Sequence, residues 1–201
     1  PTIDFPARQF TFVSTIDIDN PWAYLNRGCL RTAGGLLKNL LQLHFRECQY
    51  RIRVLRRKQP DPFDTYSWIM KLERQYGFRS RFFFLMGNCG KNDTNYAIGS
   101  LRFRKLLNSL KPSRSIGIHP SYKSNLKPDI LKSEFKRFTG LLGKKPEISR
   151  QHFLVLRLPE TCRNLISLKI QTDYSMGYAT HVGFRAGTSL PFMFYDLNRE
   201  E

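Results

Sequence analysis

What most constrains this chain is a rhythm: short, strongly apolar runs alternate with segments of helical length. Phe10–Ile16 reads as a buried strand, as do Arg81–Leu85, Ser115–Ile118 and Glu147–Ser149, with Ile170–Asp173 and Val182–Phe184 as weaker runs. Each is short, rich in β-branched or aromatic residues, and bounded by turn formers. Between them lie helix patterns. Asp64 is placed to cap a helix ending at Tyr76, which Gly77 closes at the C′ position. Leu101–Leu110 and Glu160–Leu168 are two more, and Pro128–Leu142 carries the stripe Ile130, Leu131, Phe135, Phe138 and Leu142. Strands that alternate with helices pair in parallel through crossovers, which makes the expected class α/β. A length of 201 residues suits a single domain spanning 1–201.

One segment breaks the rhythm. Ala33–Arg46 carries Leu36, Leu37, Leu40, Leu41 and Leu43 on a helical apolar face, and Tyr50–Lys58 follows with arginines at 51, 53, 56 and 57. The alternation of Arg51 and Arg53 suggests an extended strand or a solvated face. From Arg27 to Lys58 there are nine basic residues against Glu47 alone, a net +8 of the chain's +17. The expectation is a basic helical insertion at 27–58, outside the sheet, whose leucines pack on the fold or on a partner.

Composition then narrows the partners. With 41% hydrophobic and 13% aromatic residues the chain is not disordered. The longest apolar run, Phe82–Met86, is far short of the 18 or so residues that a membrane helix needs. The first residues lack a signal-peptide pattern. Cys29, Cys48, Cys89 and Cys162 contain no C-x-x-C pair, which excludes a zinc ribbon and argues for reduced thiols. The expected location is therefore cytoplasmic, with access to the membrane face. A net +17 favours a polyanionic neighbour: an anionic glycan, an acidic membrane surface or nucleic acid. No RNA-module signature is present, which speaks against nucleic acid.

The chemistry-bearing residues cluster where strands end. In Thr15-Ile16-Asp17-Ile18-Asp19 the two carboxylates alternate and so face one side. Two carboxylates that close remain ionised together only beside a cation. His119 ends the run Ile116-Gly117-Ile118, before Pro120 stops the ladder. Arg150 and His152 follow the run at 147–149, two residues apart. Carboxyl ends of strands are where α/β folds build sites. Asp17, Asp19, His119, Arg150 and His152 together suggest an Asp-His-His metal site beside a carboxylate base held by an arginine. Asp173-Tyr174-Ser175 and Gly183–Thr188 read as a substrate-facing loop, His181 as a proton-donor candidate and His44 as inert. No dinucleotide-binding, P-loop, nucleophile-elbow or H-E-x-x-H motif occurs.

In this order the segments resemble the polysaccharide deacetylase family, metal-dependent carbohydrate esterases with a distorted (β/α) barrel. Thr15–Asp19 is similar to the family's D-x-D motif, and Ile118-His119-Pro120-Ser121-Tyr122 to its second motif. Asp173-Tyr174-Ser175 and Gly183-Phe184-Arg185-Ala186-Gly187 resemble two later ones. The resemblance implies an incomplete barrel of about six to seven strands. It implies that Asp17 is the catalytic base, oriented by Arg150. Asp19 and His119 would bind a divalent metal, Zn²⁺ being expected. Four residues after His119 the family usually has a second histidine; here Lys123 stands, and His152 is the candidate third ligand. The family's late L-x-H motif is not evident. Tyr122, Asp173, Ser175 and Arg185 are expected to face a sugar or polysaccharide. The implied activity is removal of N-acetyl or O-acetyl groups. The rival reading is a deacetylase-like glycan-binding or scaffold domain without catalysis.

Overall fold

The computed structural model describes residues 10–95, 98–111 and 115–201. It has five strands, β1 (Thr15–Ile18), β2 (Arg81–Leu85), β3 (Ile116–His119), β4 (Ile148–Ser149) and β5 (Thr172–Asp173). The helices are α1 (Cys29–Leu41), α2 (Phe45–Leu55), α3 (Tyr66–Tyr76), α4 (Leu101–Leu110), α5 (Pro128–Leu142) and α6 (Glu160–Ser167), and His152–Leu154 forms a 3-10 turn. All neighbouring strands are parallel and the spatial order is the chain order, β1-β2-β3-β4-β5. Every crossover therefore steps in the same direction, and right-handed crossovers send their helices to one face of the sheet.

The two faces are filled differently. Phe82, Phe84, Ile116 and Ile118 point into the helix layer, where they meet Phe103 and Leu107 of α4, Leu131, Phe135 and Phe138 of α5, and Leu165 of α6. Phe83 alternates to the other face. A Cβ built on Gly117 would lie 2.7 Å from both the Phe83 ring and Ile148 Cγ1, so only glycine fits between them. Tyr174, just beyond β5, stacks 5.4 Å from Phe83. In a flat sheet β2 and β5 are three spacings apart, roughly 14 Å. Direct contact between their side chains means that the sheet curls around this face. Arg150 Nη1, just after β4, likewise reaches Thr15 Oγ1 of β1 at 2.7 Å.

Several expectations are corrected. The described residues contain five strands rather than six or seven, and Val182–Phe184 forms none. The first strand begins at Thr15, because only its residues 15–18 lie beside β2. Phe10 and Phe12 are exposed, Phe12 resting edge-on against Phe78. Asp64 does not cap α3; Thr65 precedes that helix without a side-chain capping bond, while Gly77 closes it in the left-handed conformation as expected. The buried carboxylate of the region is Asp61, which accepts from the backbone N–H groups of Ala23, Tyr24, Leu25 and Phe63.

The insertion is a helical hairpin. The expected helix over 33–46 splits at a turn in which Leu43 has φ 56°, and Tyr50–Leu55 belongs to α2 rather than to an extended strand. The alternating arginines conceal a helical face, since Cys48, Arg51 and Leu55 are among the less exposed positions at helical spacing. Arg51 lies over the Tyr24 ring at 4.8 Å, and a Cβ on Gly35 would fall 1.8 Å from its Nη1. Gly35 thus lets α1 and α2 approach closely. Of the two surfaces expected to cover the leucines, the fold itself does not cover most of them, for Leu37, Leu40, Leu41 and Leu43 are exposed. No helix among the described residues is long and apolar enough to cross a membrane.

Candidate metal centre

The parallel register explains why residues far apart in sequence meet. Asp17, Phe83 and Gly117 occupy one row across β1, β2 and β3. Two residues further along lie Asp19, Leu85 and His119, at the carboxyl edge. The chain leaving β4 stays beside β3, Arg150 N donating to Ile118 O at 3.1 Å and His152 N to Pro120 O at 3.0 Å. The 3-10 turn then presents the His152 ring. His119 Nε2 lies 3.3 Å from Asp19 Oδ1 and His152 Nε2 lies 3.4 Å from Asp19 Oδ2. One ligand atom from each of the three residues falls within 4.8 Å of the others.

The second nitrogen of each ring decides what the first can do. His119 Nδ1 hydrogen-bonds the Arg150 carbonyl oxygen, which can only accept, so Nδ1 carries the proton. His152 Nδ1 lies 2.9 Å from Asp93 Oδ1 and donates to it. In the neutral rings both Nε2 atoms are then bare lone pairs aimed at a carboxylate. Such an arrangement calls for a cation or an extra proton between the groups. Backbone carbonyls and carboxylates behind the rings are the usual orienting partners of metal-bound histidines. Asp19 Oδ1 is buried without a hydrogen-bond partner. Two imidazoles and a carboxylate form a donor set that suits Zn²⁺, and the half-exposed Asp19 leaves the site open on one side. The residues present fit a divalent cation.

Electrostatics point the same way. Burial raises the Asp19 carboxyl, but when the rings also carry a proton at Nε2 their interactions with it, His119 first and then His152, outweigh that and hold it well below the ordinary carboxylate range. Burial lowers the His152 imidazole, yet its bonds to Asp19 and Asp93 raise it overall. The pocket is thus built to keep positive charge next to Asp19.

Asp17 stands beside this group. Arg150 Nε lies 3.5 Å from Asp17 Oδ2, while its Nη1 is anchored on Thr15. The structure therefore brings Asp17, Asp19, His119, Arg150 and His152 to one place. Lys123 is elsewhere, its Nζ packed over Gly90, so it offers nothing in place of a histidine.

The expected substrate-facing residues sort differently. Tyr122 lies near the site: its backbone N–H donates to Asp93 Oδ1, and its ring meets Phe153 edge-on at 6.0 Å. Phe153 in turn stacks on His152 at 4.3 Å. Asp173 and Ser175 alternate with Tyr174 and are spent on internal bonds. Ser149 Oγ and Ser175 Oγ donate to Asp173 Oδ2, and Ser175 Oγ accepts from Gln151 N. Ser175 is fully buried, and burial pushes the Asp173 carboxyl upward. These bonds lock β4 to β5. Arg185 Nη1 donates to Leu154 O at 3.0 Å and so ties the late turn to the segment after His152. His181 is exposed, paired with Thr180, and outside the ligand group; His44 precedes α2.

Asp93 is the residue that sequence reasoning missed. It is fully buried, 59 residues from His152, in the polar loop after β2. Its only sequence signal is that place, beyond the carboxyl end of a central strand. A cavity of about 630 Å³ lined by Arg27, Arg31, Arg104 and Arg137 shares no residue with the cluster. No family model and no curated protein matches this chain.

Proposed function

We propose that the chain is a metal-dependent carbohydrate deacetylase of the polysaccharide deacetylase type, its curled sheet the wall of an incomplete (β/α) barrel. The observation that carries the reading is the convergence of Asp19, His119 and His152, with both Nδ1 atoms held from behind and Asp17 alongside. The consecutive parallel strand order and the filled concave face support the barrel reading.

Asp19, His119 and His152 would hold the ion. A divalent cation bound there lowers the pKa of water and polarises an acetyl oxygen. Asp17 is the proton acceptor: its carboxylate takes a proton from the attacking water as that oxygen joins the acetyl carbon. Arg150 pairs with this carboxylate and keeps it aimed. When the carbon–nitrogen bond breaks, the Asp17 carboxyl returns its proton to the leaving nitrogen, giving acetate and a free amino sugar. Tyr122 and Phe153 form an apolar wall on which a sugar ring can stack.

The test is acetate release from N-acetylated and O-acetylated oligosaccharides by Zn²⁺-loaded protein, with stoichiometric metal content measured alongside. Metal uptake without acetate release from either class would leave the non-catalytic glycan-binding reading. Failure to take up metal would remove the metal site itself.

A further inference from the structure

The hairpin at 27–58 presents two features together that neither the fold nor the proposed catalysis uses. One is apolar. Leu30, Gly34, Leu37 and Leu41 recur at helical spacing along α1 and form an uncharged stripe. Leu30 is 91% exposed and Leu41 76%, and at the hairpin tip Leu43 is 71% and Phe45 60% exposed. Isolated exposed leucines are ordinary, but exposed apolar side chains that recur along one stripe of α1 and again at the hairpin tip mark an interaction surface.

The other feature is charge. Lys38 lies one position from Leu37 on α1, and Arg46, Arg53 and Arg56 are exposed along and beyond α2. None of these four makes an ion pair among the described residues. Arg46 and Arg53 stand two helical turns apart on one side of α2. Arg51, by contrast, faces inward over Tyr24.

We infer that this hairpin docks on the surface of an anionic phospholipid bilayer, with Leu37, Leu41, Leu43 and Phe45 entering the interface and Lys38, Arg46, Arg53 and Arg56 meeting lipid phosphates. Charge complementarity selects the partner. A second copy would bring an identical net +8 segment against the first. A nucleic acid or an anionic glycan matches the cations but leaves the leucines in water. A bilayer surface satisfies both, which is the pattern of interfacial helices. Each cation near such a surface is worth about fivefold in partitioning.

The experiment is co-sedimentation of the full 201-residue chain with vesicles of phosphatidylcholine alone or mixed with phosphatidylglycerol. Binding is expected only to the mixed vesicles, falling as salt rises. Replacing Lys38, Arg46, Arg53 and Arg56 by Gln should weaken it by about 100-fold or more. The double variant Leu37→Ser, Leu41→Ser should weaken it at low salt with all cations intact. Both sets are on the surface, so circular dichroism should show unchanged folding. A separate Leu41→Trp variant supplies an independent readout, a blue-shifted indole emission on adding mixed vesicles. No binding at low salt overturns the inference. So does binding that ignores the double leucine variant and leaves the Leu41→Trp emission unshifted, which would mean adsorption by charge alone.

Discussion

Replacing Asp93 by Asn tests the metal centre at a residue that no local pattern singles out. Asp93 Oδ1 accepts from both the Tyr122 backbone and His152 Nδ1, each at 2.9 Å, and the side chain is fully buried although its loop is partly exposed. Asn keeps an oxygen there, so the His152 ring stays oriented, while the negative charge behind it disappears. A charge-assisted hydrogen bond is roughly twice as strong as a neutral one. Losing such a partner behind a metal-bound histidine costs about 10–100-fold in affinity, or about 1.4–2.7 kcal/mol. Because Asn preserves geometry, the lower half of that range is expected. The assay is a Zn²⁺ titration in competition with a chromophoric chelator. It belongs at about pH 8, above the usual histidine range, so that protons do not compete for Nε2. Wild-type affinity in the Asn variant would refute the argument that Asp93 acts on the metal through His152.

Three further outcomes follow from the same geometry. Asp17→Asn should bind Zn²⁺ normally and lose at least about 100-fold in acetate release, since an amide accepts no proton; loss of metal instead would make Asp17 a ligand. Gly117→Ala should lower stability by about 1–3 kcal/mol in a denaturant titration, because the new methyl meets Phe83 and Ile148 at 2.7 Å. Glu134 is buried beneath the site, bonded by Ser121, and burial raises its carboxyl. A raised carboxyl stabilises the fold at low pH, and that contribution fades as pH climbs from the ordinary carboxylate range to the folded pKa. Glu134→Gln should therefore gain stability relative to the parent chain as pH rises above the ordinary carboxylate range, from about pH 4 upward. A difference that stays constant over that range would show that Glu134 is already ionised in the fold.

Much of this architecture could be read from the sequence because it rests on local patterns. Arg81–Leu85 is a strand since four consecutive apolar residues, Phe82 to Leu85, are buried on both faces, and Pro128–Leu142 is a helix since its apolar stripe is regular. Asp19 and His119 were findable because each ends a strand whose parity is set by its apolar neighbours. What stayed hidden depends on tertiary relations. Asp173 and Ser175 look like a polar substrate loop, yet Tyr174 between them takes the concave face and turns both the other way. Asp93 acts through a contact 59 residues away, which no local pattern encodes. The second hairpin helix was masked by arginines whose alternation imitates a strand.

The curl of the sheet has a consequence for how the site responds at a distance. Asp17 and Asp19 stand on one wall, Arg150 and His152 on the other, and His119 on the strand between. The separation of the two walls is set below, where Phe83, Gly117, Ile148 and Tyr174 fill the trough. Those residues act as the spacer of a calliper with Asp19 on one jaw and His152 on the other. Enlarging or shrinking the spacer widens or narrows the gap between Asp19 and His152 without touching either. Substitutions in this buried trough should therefore register as changes in metal affinity, and the interior packing of the sheet becomes a means of tuning which ion the edge can hold.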